Sequence, residues 1–145
     1  MNTEHFEKLR RMYLKANINT QVFDTTECKI EAKKATISLM VSEKYFHALG
    51  AIHGSVYFKL LDDAAFFAVS SIVQDVFVLT TSFNSNIIRP VSAGKITAVG
   101  EVRFVSRNLF IAESTLFNEA GKEVAFGTGH FAKSKIELTA EIGYK

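Results

Sequence analysis

This chain of 145 residues has one cysteine, one proline and no run of like charge. A lone Cys28 rules out an internal disulfide and a cysteine-based metal site, and it fits a reducing compartment, so a cytoplasmic location is expected. Pro90 is the sole proline, and there is no low-complexity tract, linker or internal repeat. Residues 1–145 therefore read as a single domain. The formal net charge is only +2, without a lysine or arginine stripe, so a nucleic-acid partner is not expected. The first residues lack the basic stretch and apolar stretch of a signal peptide. The longest weakly charged segment, residues 64–88, is broken by Gln74-Asp75 and by the polar run 80–86, so no membrane partner is expected either.

Apolar content is ample: 48% of residues are hydrophobic and 22% charged, enough to bury a core. Residues 4–15 place Phe6, Leu9, Met12 and Tyr13 among charges, which predicts a short amphipathic helix, and residues 1–18 are taken as the N-terminal helix. Strands are expected at 21–28 and 35–41, the latter from Ile37, Leu39 and Val41 alternating with Thr36, Ser38 and Met40. Residues 54–73 predict a helix that is apolar over most of its circumference. Four more strands follow at 77–87, 96–105, 109–117 and 123–133, separated by the turn signals Ser92-Ala93-Gly94, Ser106-Arg107-Asn108 and Asn118-Glu119-Ala120-Gly121. Short connections favour antiparallel neighbours. The fold class is α+β, with a curled antiparallel sheet of about six strands wrapped around one long central helix.

Adjacent carboxylates in that helix call for a chemical explanation. Asp62 has Phe58 and Phe66 one turn away on either side, so desolvation should raise its pKa and suit it to act as a base or nucleophile. Asp63 has Lys59 four residues behind it and reads as an ion-pair partner. Gly54 and Ser55 fall where the first helical N–H groups are unpaired, an end able to hold a developing oxyanion. Gly54 and Asp62 are separated by about 12 Å of helix, at ~1.5 Å per residue. One small carbonyl cannot touch both. If both act in one reaction, the acid must come from a second copy, which predicts a homo-oligomer with interfacial sites.

The run His47-Ala48-Leu49-Gly50-Ala51-Ile52-His53-Gly54-Ser55, followed by Leu60-Leu61-Asp62, resembles the N-x-x-G-x-x-H-G-G…D signature of hotdog-fold acyl-CoA thioesterases of the phenylacetate-pathway and 4-hydroxybenzoyl-CoA thioesterase superfamily. The segment LTTSFNSNIIRPVS, residues 79–92, is similar to the family's strand ending in a proline turn. GKEVAFGTGHF, residues 121–131, is similar to its closing strand. The likeness spans about residues 35–133.

The resemblance implies a catalytic carboxylate at Asp62, an amide donor to the thioester oxygen at Gly54, and a hydroxyl at Thr80, with Thr81 beside it, to position water or acid. His47 stands where the family has asparagine, and Ser55 replaces the second glycine of the usual pair. A neutral imidazole N–H could serve at His47, though the ring is bulkier and titratable. His53 is either catalytic or a brace for the loop. Phe58, Phe66 and Phe83 would surround an aromatic or medium-to-long acyl group. Arg89, Arg107 and Asn108 are the candidates to meet the nucleotide phosphates. His130 reads as structural and His5 as solvent-exposed. The implied reaction is hydrolysis of an acyl-CoA by a dimer or dimer of dimers, needing no metal or cofactor, with coenzyme A as part of substrate and product. The alternatives are an acyl-CoA binding or sensing module, for which the His47 and Ser55 departures argue, and a hydroxyacyl-thioester dehydratase.

Overall fold

A computed structural model describes residues 2–145; Met1, the first residue of the expected N-terminal segment, lies outside the described residues. Helices α1 (Thr3–Lys15) and α2 (Asn17–Gln21) lead into strands β1 (Glu27–Glu31) and β2 (Lys34–Met40). Helix α3 (Gly54–Ser70) follows, and then β3 (Val76–Ile87), β4 (Lys95–Val105), β5 (Phe110–Phe117) and β6 (Glu123–Glu137). The six strands form one antiparallel sheet in the order β1-β2-β4-β5-β6-β3. The expected class is thus found.

The sheet holds α3 by alternation. On β4, Ile96 and Ala98 are fully buried beneath the helix, as are Ile37 and Leu39 on β2 and Leu116 on β5. Leu60, Leu61, Ala64, Ala65 and Ala68 answer from α3, so the helix is apolar on nearly every side because it meets sheet below and α1 beside it. Contact is closest at Gly100, where a Cβ would stand 2.3 Å from the backbone carbonyl of Ala64. Only glycine lets the helix settle that near the strand.

β3 and β1 are the sheet edges. A bulge at Thr81 resets the parity of β3, so Thr80 before it and Phe83 after it both turn toward α3. The Phe83 ring lies over Gly127 and Gly129 of β6, where any Cβ would come within 2.7 Å of it. That seat explains two glycines in a strand otherwise filled with side chains.

Three expectations are corrected. Residues 21–28 are not a strand: α2 ends at Gln21, the chain turns, and β1 begins only at Glu27. Thr26 closes that turn, its Oγ1 donating to the Phe23 carbonyl at 2.6 Å, a local bond that competes with sheet pairing. The expected N-terminal helix of residues 1–18 is broken at Ala16, whose ψ of 139° is extended, so α1 and α2 are separate helices. His5 is not exposed but 2% accessible. Its Nε2 donates to the Ser70 carbonyl at 2.8 Å and its Nδ1 lies 2.7 Å from the Tyr144 hydroxyl, joining α1, the end of α3 and the C-terminal segment.

Candidate active site

Asp62 projects from the middle of α3 into a cavity of about 570 Å³. Phe58, Phe66 and Phe77 line it near the carboxylate, and residues 12–23 of the N-terminal arm wall the opposite side. Thr80 Oγ1 donates to Asp62 Oδ1 at 2.9 Å. The second carboxylate oxygen has no protein partner among the described residues and is free to meet a reacting group. Burial pushes the Asp62 carboxyl from 3.8 up to about 6, the Thr80 hydrogen bond pulling against it and the Asp63 charge adding to it. It remains ionised at neutral pH yet is a stronger base than an ordinary carboxylate.

Asp63, one residue on, is already occupied. Lys59 Nζ reaches its Oδ2 at 2.6 Å, and the Tyr13 hydroxyl donates to the same oxygen at 2.7 Å. Lys59 also donates to Asn19 Oδ1 at 2.8 Å and lies over the rings of Tyr13 and Phe23. Burial, reinforced by the Asp63 charge, raises the Tyr13 phenol well above its ordinary range, so it stays a neutral donor. The two neighbouring acids thus differ because one faces a hydroxyl and open cavity while the other faces a cation.

At the tip of α3, His53 is the N-cap: its Nδ1 accepts from the Ser55 N–H at 3.0 Å and lies 2.8 Å from the Ser55 hydroxyl. This geometry holds the ring against the first turn of α3. Because the cap satisfies Ser55, the Gly54 N–H is left without a partner among the described residues, at the positive end of a 17-residue helix. His47 Nδ1 accepts from the Leu49 N–H at 3.1 Å, which puts the proton of the neutral ring on Nε2. His47, Gly54 and Arg89 share a second cavity of about 380 Å³.

Within one chain the predicted residues fall into groups. Asp62, Thr80, Ser55, Phe58 and Phe66 meet in the larger cavity. Gly54, His47 and Arg89 meet in the smaller one. Phe83 stands behind Phe58, their rings edge to face at 5.7 Å. Thr81 turns away, its hydroxyl donating to the His130 carbonyl at 3.0 Å. Arg107 and Asn108 lie in the β4–β5 turn next to Phe110, which packs with Val69 and Val73, so they sit beyond the C-terminal end of α3, opposite Gly54. His130 bonds Ser82 across the β3–β6 pair. What sequence reasoning missed is the N-terminal arm, with Met12, Tyr13, Ile18, Asn19 and Phe23 as cavity wall. The amphipathic period of α1 was the available signal, but periodicity does not say which face of α3 it covers.

Among the described residues, no cluster of three or more His, Cys, Asp or Glu is placed to hold a metal ion, and no helix is long and apolar enough to cross a membrane.

A curled sheet wrapped on one helix, with a half-buried carboxylate opening from that helix into an aromatic cavity, defines a hotdog-fold protein. A model of the thioesterase superfamily matches residues 49–125. A 1,4-dihydroxy-2-naphthoyl-CoA hydrolase of Listeria monocytogenes serotype 1/2a (strain 10403S) is 31% identical over 94 residues, covering 64% of this chain and 76% of that one. Among solved structures, the E. coli PaaI protein from the phenylacetic acid degradation operon superposes with a TM-score of 0.84 at 18% identity, over 94% of this chain and 98% of the other. A variant of a thioesterase enzyme from Staphylococcus aureus subsp. aureus Mu50 superposes with a TM-score of 0.74 at 20% identity, over 81% and 98%. The chain belongs to the thioesterase superfamily. It is a thioester hydrolase.

Proposed function

We propose that this protein hydrolyses acyl-CoA thioesters at a site completed by two subunits. The carrying observation is the Asp62 carboxylate, half-buried in an aromatic cavity, held through one oxygen by Thr80 and free at the other. Asp62 takes a proton from water as the water oxygen bonds to the thioester carbonyl carbon. The Gly54 N–H of a second copy holds the oxyanion, and collapse breaks the C–S bond to release coenzyme A as its thiolate. His47, protonated on Nε2, is the second donor to that oxygen.

Two observations support the shared site. In one chain Gly54 and Asp62 open into different cavities. On β3, Thr80 touches Asp62, while Ile87 Cδ1 stands 3.5 Å from where a Cβ on Gly54 would be. If the β3 edges of two copies pair antiparallel, the Ile87 end that lies against Gly54 in one copy runs beside the Thr80 end that touches Asp62 in the other. Such pairing would also cover a 12-residue edge strand that otherwise presents unpaired backbone. Arg89, whose Nε donates to the Glu123 carbonyl, has its terminal nitrogens available for a phosphate beside Gly54. The dehydratase reading needs a free histidine base, and the Nδ1 of His53 is engaged as a helix cap.

The test is thiol release from a panel of acyl-CoAs by the purified protein and by Asp62→Ala. Loss of about 100-fold or more in kcat/KM is expected, the size of a lost acid–base group. Tight acyl-CoA binding without thiol release by either protein would replace hydrolysis with sensing.

A further inference from the structure

The family match begins at residue 49, yet one side of the Asp62 cavity is built from residues 12–23, ahead of it. Met12, Tyr13, Ala16, Ile18, Asn19 and Phe23 form that wall. It is unevenly anchored. α1 is tied down through buried Leu9, Met12 and Tyr13, whereas α2 spans five residues, its Ile18 is 51% exposed, and only Asn19 within it is buried. The carboxamide of Asn19 is a two-way tie: Nδ2 donates to the Tyr13 carbonyl at 2.8 Å, and Oδ1 accepts from Lys59 Nζ on α3 at 2.8 Å. Just beyond α2, the Val22 carbonyl accepts from the Tyr45 hydroxyl, and the Phe23 ring stacks on Tyr45. Lys59 therefore latches the arm to the helix that carries Asp62, one turn from the carboxylate.

We infer that the arm formed by α1 and α2, latched through Asn19 and Lys59, determines which acyl groups this protein accepts. The inference rests on the acyl-CoA thioesterase reading and deepens it. The chemistry of hydrolysis belongs to α3, β3 and the loop ahead of α3, whereas the arm lines the cavity beside Asp62. With Asn19 bonded to Lys59 the cavity is about 570 Å³, within the usual range for a small-molecule site. Asn19 is a positioning residue, acting through Lys59 and the wall. Ile18 is a specificity residue, because it lines the cavity while its outer half has room for added bulk.

The two residues give opposite perturbations. Asn19→Ala removes the acceptor for Lys59 and lets α2 move outward, while Ile18→Trp leaves the latch intact and fills the cavity from the arm side. Straight-chain acyl-CoAs from butyryl to hexadecanoyl are compared by kcat/KM. Relative to butyryl-CoA, the preference for the longest accepted chain is expected to rise about tenfold in Asn19→Ala and to fall about tenfold in Ile18→Trp, the scale by which pocket contacts discriminate apolar groups. The change should appear mainly in KM, since Asp62 and Thr80 are untouched. If Asn19→Ala does not fold, Ile18→Trp alone decides. Hydrolysis with an unchanged chain-length profile, within about twofold in every folded variant, overturns the inference and leaves the thioesterase reading standing. The same variants are titrated calorimetrically with S-alkyl thioethers of coenzyme A of matching length. If no thioester is cleaved by the unaltered protein but the affinity order for the thioethers shifts as described, the wall is upheld and the hydrolase reading fails.

Discussion

Asp62→Asn should make the protein more stable while abolishing its activity. In the folded chain burial raises the carboxyl from 3.8 to about 6, so between those values the native state holds a proton that the unfolded state has released. Stability therefore falls as pH rises through that window, and the full penalty is present above about 6. A span of roughly 2 in pH, at ~1.4 kcal/mol each, gives about 3 kcal/mol as a ceiling. The side chain is only half-buried and opens on a cavity, so solvent screening reduces this to about 1–2 kcal/mol. Asparagine is nearly isosteric, cannot ionise, and keeps an oxygen for the Thr80 hydroxyl. Urea unfolding of both proteins at one protein concentration should show the variant more stable by that amount at pH 8, equivalent to about 3–6 °C in Tm for a chain of this size. The gain should disappear toward pH 4, where Asp62 is increasingly protonated in both states. A variant that is equally stable or weaker at pH 8, or a gain that persists unchanged at pH 4, would refute the desolvation argument.

The pH dependence of kcat/KM should fall on the acid side near pH 6, as Asp62 gains its proton, and a limb near pH 4 would show the carboxylate to be solvated. Thr80→Val removes the hydrogen bond favouring the ionised form, so that limb should move to higher pH and activity at pH 7 should fall about tenfold, checked by the same pH-rate profile. Gly100→Ala would drive a methyl into the backbone of Ala64, and a loss of about 3 kcal/mol is expected in urea unfolding. Lys59→Met strands Asp63 in a mostly buried setting and should cost about 3 kcal/mol, whereas the paired change to Met at 59 and Asn at 63 should recover much of that by the same measurement.

The fold was legible where side-chain period and turn chemistry agree. β2 alternates cleanly, and its burial follows that alternation residue by residue. α3 could be read as central because so few of its positions are polar. Residues 21–28 misled because Val22 and Phe23 are β-formers by composition, while Asp24-Thr25-Thr26 turns the chain through local bonds that outweigh propensity. His5 shares the face of Leu9 and Met12, so its burial was implicit in the helical period, but its partners Ser70 and Tyr144 are too distant in sequence to infer. In the candidate site, the environment of Asp62 followed from Phe58 and Phe66 at i±4, and the Asp63–Lys59 pair from i,i+4 spacing. The Thr80 contact was expected only through family resemblance. Its geometry depends on the bulge at Thr81, which composition does not announce. The helix of the arm was legible, but its place at the cavity rests on a tertiary contact between Asn19 and Lys59, forty residues apart in sequence.

Mixed subunits test the shared site most directly. Gly54 is the first residue of α3 and follows an extended His53, so Gly54→Pro fits the helix start while deleting the amide donor. Paired with Asp62→Asn, each variant alone should be inactive. A mixed dimer would join the intact Asp62 of one chain to the intact Gly54 of the other in one of its two sites, so an equal, fully exchanged mixture should regain about a quarter of normal activity. No recovery, with subunit exchange demonstrated by mass spectrometry of tagged chains, would contradict a site built across two copies.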